Sequence, residues 1–492
     1  MVLLLCGVAA IRVFVFAAAF PFFNNVDEQA HFDLVVKYSH GEIPRGLERT
    51  SSESARYIAL YGSPEYLLQP EQFPGGRFPP PLWMLPANEI SSELQAETTA
   101  WQSVTNHETS EPPLYYALAA SWLRLGRAGG LTGGFLLYWI RFLNVPLAAL
   151  LVWLGFVAAR LVVPERFSLR LGVPMLLAVF PQDTFYGIQS DALSPICFGL
   201  AFIGLLRLWQ ADAPRARLGA LTGLAIAATC LTKTANLPLL AVAVAAVLFK
   251  TWLAIKSGKW RTTWLALASL LLCAALLITA WFAWNRHTFG DITGSTVKIE
   301  FLGWTRKPFN EWWHHPIFTP IGAGKFWSEL LASLWRGEFV WFGQPLASAA
   351  VSAFYWISST LLLGAAVVNL FPKFSGAKVS RRRVLWLAFL SFAALIGFLA
   401  LLSISFDFGK SFYPSRENPY FVSGRLLNGA LIPFSLLYVF GLDRALSWWK
   451  SDRLRLLALA GIALFVAISQ IAINAPAFFS QYNWFHLWTA PS

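Results

Sequence analysis

The stretch Asn24-Asn25-Val26-Asp27-Glu28-Gln29-Ala30-His31-Phe32-Asp33 sets three carboxylates and an imidazole directly after the first apolar segment of the chain. Carried on a helix, Asp27 and His31 are four residues apart and share a face, with Glu28 beside them. Such a set can take a proton from a hydroxyl or ligate a hard cation. An acidic helix end that only stops a span and anchors it in the interface is the competing reading. What else the chain places at the same depth decides between the two.

Composition sets the class. Of 492 residues, 56% are hydrophobic and 13% charged, against about 25% charged in an ordinary soluble domain, so an all-α, multi-pass membrane protein is expected. The formal charge of +12 invites nucleic acid, but its placement argues against that partner: 19 of the 38 Lys and Arg fall in five short loops, 160–170, 207–217, 250–261, 373–383 and 443–455. Short basic loops face the cytoplasm. Cys6, Cys197, Cys230 and Cys273 are widely spaced within apolar runs and suggest neither a zinc site nor a disulfide framework.

Eleven crossings are expected, at 2–23, 136–159, 171–186, 192–209, 218–232, 237–252, 264–284, 347–371, 384–406, 426–446 and 456–473. The first is read as a retained helix with its N-terminus in the cytoplasm, and it carries Arg12 in its interior, which is costly unless the side chain snorkels or finds a partner. From residue 24 to 111, 13 acidic residues meet five basic ones, so this long loop belongs outside. Its end, His107-Glu108-Thr109-Ser110-Glu111-Pro112-Pro113-Leu114-Tyr115-Tyr116, runs into an apolar segment ending near Leu125. If that segment crosses, the loops at 160–170 and 207–217 fall outside, against the charge rule. An interfacial helix opened by the two prolines keeps every basic loop inside, and that arrangement is adopted.

This topology gathers the unusual polar residues at the outer face. Asp27, Glu28 and His31 lie there with the turn from Pro181 to Asp191, which contains Asp183; Arg141 sits near the outer end of its helix, Lys233 at a hairpin, and Arg425 opens the tenth crossing. Singly, Lys233 and Arg425 read as snorkelling anchors; together, in a chain poor in charge, they favour a functional site. A sugar on a polyprenyl phosphate already has a good leaving group, whose departing charge Arg, Lys or a divalent metal can neutralise. The acceptor hydroxyl needs a carboxylate or imidazole to take its proton. Asp27, Glu28, Asp183 and Asp191 offer hard oxygen ligands suited to magnesium or manganese.

The sequence resembles the bacterial multi-pass proteins of the GT-C glycosyltransferase superfamily, close to an uncharacterised branch related to the protein O-mannosyltransferases and lipid A aminoarabinose transferases. The resemblance is carried by Asp27-Glu28 followed by His31, by Pro112-Pro113-Leu114-Tyr115-Tyr116, by the Pro181 to Asp191 turn, by Gly424-Arg425, and by the block Leu334-Trp335-Arg336-Gly337-Glu338-Phe339-Val340-Trp341-Phe342-Gly343. It implies a GT-C-like bundle in a bacterial inner membrane with its active site facing the periplasm. It also implies Asp27 as base or metal ligand with Glu28 as neighbour, and Asp191 or Asp183 assisting, Asp191 being the second metal candidate. Arg141, Lys233 and Arg425 become holders of the lipid phosphate, and His31, His107 and Tyr115 join the substrate-binding set. The chain departs from the pattern in carrying Leu426 where members of the branch often carry an aromatic after Gly-Arg.

The expected organisation is a transmembrane core over 1–284 that includes the outer loop 24–133, an aromatic outer loop over 285–345, and a C-terminal bundle and tail over 346–492. The aromatic loop is rich in Trp, which stacks on sugars but also anchors interfaces. His314-His315 lacks the i, i+4 spacing of a helical metal pair. The expected reaction is transfer of a sugar from an outer-face polyprenyl phosphate to a glycan, lipid or protein acceptor. The alternative is a non-catalytic transporter or flippase of lipid-linked sugars, which would place ionisable groups through the midplane rather than at one face.

Overall fold

The computed structural model describes residues 1–371, 379–411 and 413–489, so Lys373 and Lys378 of the fourth basic loop lie outside the described residues. The chain is an all-α membrane protein. Among the described residues nine helical segments are long and apolar enough to cross a bilayer: Val2–Ala19, Gly133–Val162, Ser190–Gln210, Thr234–Lys256, Trp260–Thr288, Ala349–Val368, Arg381–Ser405, Gly424–Ala445 and Asp452–Leu487. Phe167–Val179 and Ala216–Thr232 are shorter apolar helices. Each of the eleven expected crossings overlaps one of these segments. The second comprises α6 (Gly133–Arg141) and α7 (Asn144–Val162).

Two crossings end earlier than expected, for one reason. Helix α1 (Val2–Ala19) stops before Phe20, and α8 (Phe167–Val179) stops before Phe180; both residues are extended, and each precedes a proline, Pro21 or Pro181. A residue before proline is driven out of the helical region by the proline ring. The chain is thereby released into the two turns, 20–27 and 180–193, that carry acidic residues.

The long first loop is structured. It holds helices α2 (Glu28–Ser39), α3 (Ser52–Tyr61) and α4 (Ala87–Ser103), and a short antiparallel pairing of Glu48–Arg49, ahead of α3, with Thr105–Asn106, behind α4. Helix α5 (Leu114–Ala128) starts directly behind Pro113, buries Tyr115, Tyr116, Ala119 and Leu123 on one face and exposes Leu118 and Leu125 on the other. It clasps α6 through two tryptophans: each indole N–H donates to the other's carbonyl, at 2.7 and 2.8 Å, and the rings stack 4.3 Å apart.

Closest packing in the bundle is between α10 (Ala216–Thr232) and α12 (Trp260–Thr288). Gly219 and Gly223, spaced as GxxxG, lie against the α12 backbone at Ala266 and Leu270, the small-residue contact by which membrane helices approach. Helices α9 (Ser194–Gln210), α11 (Leu237–Lys256), α13 (Ser295–Phe301), α14 (Pro320–Arg336), α15 (Ala349–Val368), α16 (Val379–Ser405), α17 (Leu431–Ala445) and α18 (Asp452–Phe479) complete the chain. Basic loops meet one another: Arg166 and Arg455 pair with Asp443 at 2.6 and 3.0 Å, Arg381 with Glu165 at 2.9 Å, and Lys259 with Asp212 at 2.7 Å. Arg12 finds partners across the bundle, donating to the Ala178 carbonyl at 3.0 Å and to the Tyr186 hydroxyl.

Candidate functional site

Glu28 and Arg141 are spent on each other. Both are fully buried, with Arg141 Nε and Nη2 donating to the two Glu28 oxygens at 2.8 and 2.7 Å. The other guanidinium hydrogens go to the carbonyls of Ala17, Phe20 and Pro21, while Glu28 also accepts the N–H groups of Phe23 and Ile188. This saturated pair ties the first acidic turn to the second, and it leaves neither residue a face for a ligand. Tyr115 lies near Glu28 and meets the Gln189 backbone, while His31, its Nδ1 2.8 Å from the Tyr116 hydroxyl, feels the charges of Glu108, Lys233, Asp27 and Asp191.

Five other residues chosen from the sequence come together, Asp27, His107, Asp191, Lys233 and Arg425. Asp27 caps α2 in a left-handed conformation, φ 64°, unusual for a non-glycine residue and a point where backbone strain is stored. One carboxylate oxygen accepts from Arg425 at 2.5 Å, and the other is 3.3 Å from His107 Nε2. Arg425 also reaches Glu338 at 3.1 Å and Asp191 at 3.9 Å, and Asp191 is paired in turn with Lys233. Arg425 stands here because Gly424 abuts the α14 backbone at Ser333 and Leu334, where a side chain would clash. The Ser333 hydroxyl fixes the approach by donating to the Val422 carbonyl at 2.6 Å.

A second branch runs from His107 through Glu108 to Lys298. Glu108 is 3.3 Å from His107 Nε2 and 2.6 Å from Lys298 Nζ, which is 3.6 Å from Glu111. Asn106 fastens this branch to α2 by donating to the Ala30 carbonyl and to Asp33.

The charges reinforce one another. Burial works against ionisation of Asp27, but the Arg425 guanidinium and the His107 hydrogen bond outweigh it and hold the carboxyl well below the usual range. Burial likewise disfavours a charged His107, yet its hydrogen bonds to Asp27 and Glu108 raise it to about 9. His31 goes the other way, burial lowering it to about 4, so it is neutral. Asp183 is pushed up to about 7 by burial and by the nearby Glu338 charge. It accepts the Phe339 N–H and packs against Gly337, whose φ of 82° only glycine adopts readily. Asp183 therefore holds the turn that carries Glu338 and sits within reach of the Arg425 charge.

Asp27, His107 and Glu108 offer ligand atoms that all lie within 4.8 Å of one another, a group that could hold a metal ion. Asp191, expected to share that ion, is outside this group and engaged by Lys233. Glu108 Oε2 is buried without a hydrogen-bond partner, which fits an unfilled ligand role. One imidazole with two carboxylates suits manganese better than magnesium, which prefers oxygen alone. His107 must shed its proton to take part. Glu338, Glu108 and Lys298 were not singled out from the sequence. Glu338 stood within the quoted aromatic block, and its adjacency to Gly337 was the signal that could have marked it.

A family model described as "Predicted membrane protein (DUF2142)" matches residues 11–411. No curated protein matches the chain. Among solved structures, the chain is similar to the archaeal oligosaccharyltransferase AglB from Archaeoglobus fulgidus in complex with an inhibitory peptide and a dolichol-phosphate, at 11% identity and a TM-score of 0.41, covering 96% of this chain and 56% of that one. It is also similar to the Archaeoglobus fulgidus oligosaccharyltransferase complex with Zn and sulfate, at 11% identity and a TM-score of 0.39, covering 96% of this chain and 53% of the other. The chain thus spans about half the length of these proteins. At such scores the likeness assigns no activity.

Proposed function

The chain belongs to the family of predicted membrane proteins DUF2142, and from that premise we propose that it is a membrane glycosyltransferase moving a sugar from a polyprenyl phosphate to an acceptor of the cell envelope. The observation that carries this reading is the convergence on Arg425 of Asp27, Glu338 and Asp191, the last bound to Lys233. A base, two cations and little net charge are what displacement of a phosphate by a hydroxyl requires. The acceptor oxygen forms its bond to the sugar anomeric carbon as the carbon–oxygen bond to phosphate breaks. The electron pair leaves on the phosphate, where Arg425 and Lys233 neutralise it, and the acceptor proton passes to Asp27.

Asp27 in its resting pair is a poor base, since Arg425 and His107 depress its proton affinity. A donor phosphate that draws Arg425 away restores basicity when the acceptor needs it. His107 and Glu108 orient Asp27, and a divalent ion bound by this trio would supply further charge neutralisation. In this reading the reaction faces the exterior, since short basic loops are expected in the cytoplasm.

The test is sugar transfer in proteoliposomes supplied with polyprenyl phosphate sugars and envelope extract, native chain against Asp27→Asn. Transfer is expected to fall by about two to four orders of magnitude, the usual worth of a positioned base, with donor binding retained. Unchanged transfer removes Asp27 from the chemistry. Carrier movement across the bilayer without transfer favours a transporter.

A further inference from the structure

Several phenols near the first outer loop spend their hydroxyls within the protein. Tyr57 and Tyr61 meet the backbone of Gly133 and Gly134, and Tyr482 donates to the Pro79 carbonyl at 2.5 Å. Tyr66 does not. Among the described residues its hydroxyl has no hydrogen-bond partner, although the charges of Asp27, Arg425 and Glu338 all reach it. Burial, and after it the Asp27 charge, push this phenol up to about 12, so it keeps its proton and remains a donor.

Backbone contacts set its place. In the hairpin that pairs Val340–Trp341 with Gln344–Pro345, the N–H groups of Phe342 and Gly343 donate to the Glu65 and Tyr66 carbonyls at 2.8 and 3.0 Å. The same hairpin reaches Asn24 through the Val340 N–H at 3.2 Å, and it follows Glu338, the Arg425 partner. Glu65 fastens the segment by accepting the Ser63 and Ser480 hydroxyls at 3.0 and 2.5 Å. Phe301 approaches through the other oxygen of Asp27, the one facing His107: its ring lies within 10° of parallel to that imidazole, with centroids 6.2 Å apart. Lys298, three residues earlier on the same face of α13, is held by Glu108 at 2.6 Å. Phe301 is nonetheless 48% exposed, an apolar ring left bare beside a charged cluster.

A free phenol and a bare phenyl ring on either flank of Asp27 are a poor fit for a phosphate and a good one for a sugar, which has hydroxyls on its rim and C–H groups on its face. Charge narrows the class. The Lys and Arg cations here are already paired, Arg425 with Asp27 and Glu338, Lys233 with Asp191, and Lys298 with Glu108 and Glu111. A donor phosphate adds negative charge, so a second anion on the sugar would find no partner. We propose that Tyr66 and Phe301 form the slot of the transferred sugar and select a neutral one, Phe301 lying on a C–H face and the Tyr66 hydroxyl donating to a sugar oxygen. The assignment rests on the glycosyl-transfer reading and names the sugar class within it.

Binding to the full chain in nanodiscs, read by native mass spectrometry, compares bare short-chain polyprenyl phosphate with the same carrier bearing glucose, galactose, mannose or glucuronate. At least one neutral sugar is expected to tighten binding over the bare carrier, and glucuronate is not. Phe301→Ala and Tyr66→Ala should each cut that gain about threefold to tenfold, the worth of one aromatic contact, and leave bare-carrier affinity unchanged. Tyr66→Phe keeps the ring and the packing, which guards against misfolding of the alanine variant, and should cut the gain about fivefold through the lost hydrogen bond. A full gain in Phe301→Ala and in Tyr66→Phe overturns the slot, as does a native chain that gains from none of the neutral sugars. Glucuronate binding as tightly as glucose overturns the neutral class. Sugar transfer lost in Asp27→Asn while Phe301→Ala and Tyr66→Phe keep the full gain defeats the slot and spares the reaction. A gain lost in both variants of a chain that transfers no sugar spares the slot and defeats the reaction.

Discussion

His107, within 3.3 Å of both Asp27 and Glu108, couples the charge state of the cluster to stability. Its folded pKa of about 9 lies above the ordinary 6.5. A raised value means the folded chain holds the proton more tightly, so this contribution is fully present below pH 6.5 and is lost as the pH rises through about 9. The thermal midpoint of the chain in detergent should accordingly fall between those limits, and His107→Gln should flatten the fall. A fall of equal size in the variant assigns it to another group. At this scale the sequence was informative where charge is costly: Asp27, Asp191, Lys233 and Arg425 stood out because a membrane segment carries such groups only with a partner. Which partner was not legible. Arg425 meets Asp27 across 398 positions and Asp191 meets Lys233 across 42, and no local pattern encodes either pairing.

Helices were legible from apolar length, and their ends from proline, as Phe20 and Phe180 show. Their mutual packing was not, apart from one cue that passed without use, the GxxxG of α10. Gly219 and Gly223 admit the α12 backbone so closely that any larger side chain must part the helices. Gly223→Leu should cost about 1–3 kcal/mol, the usual penalty for overpacking, read as a lowered thermal midpoint. An unchanged midpoint would mean that the two helices can separate freely. The Trp122–Trp139 clasp of α5 to α6 is a contact that no periodicity announces.

For the whole molecule, the basic loops fall together through the pairs that Arg166, Arg381 and Lys259 make with acidic residues of neighbouring loops. Distribution of Lys and Arg therefore predicts sidedness. In a cysteine-free background, a membrane-impermeant maleimide should label Ser103→Cys on intact spheroplasts and Ser257→Cys only after permeabilisation. Both positions are exposed. The opposite pattern would turn the Asp27 cluster to the cytoplasm and remove the outer-face donor from the proposed reaction.

The Glu28–Arg141 pair also dictates an order of assembly. Its two members are separated by 113 positions, which a ribosome adding about 5–20 residues per second covers in roughly 6–23 s. Throughout that interval the nascent chain presents Glu28 without its counter-ion, so the turn behind α1 cannot settle into its final place. The ion pair that closes the N-terminal region can therefore form only once α6 has been made.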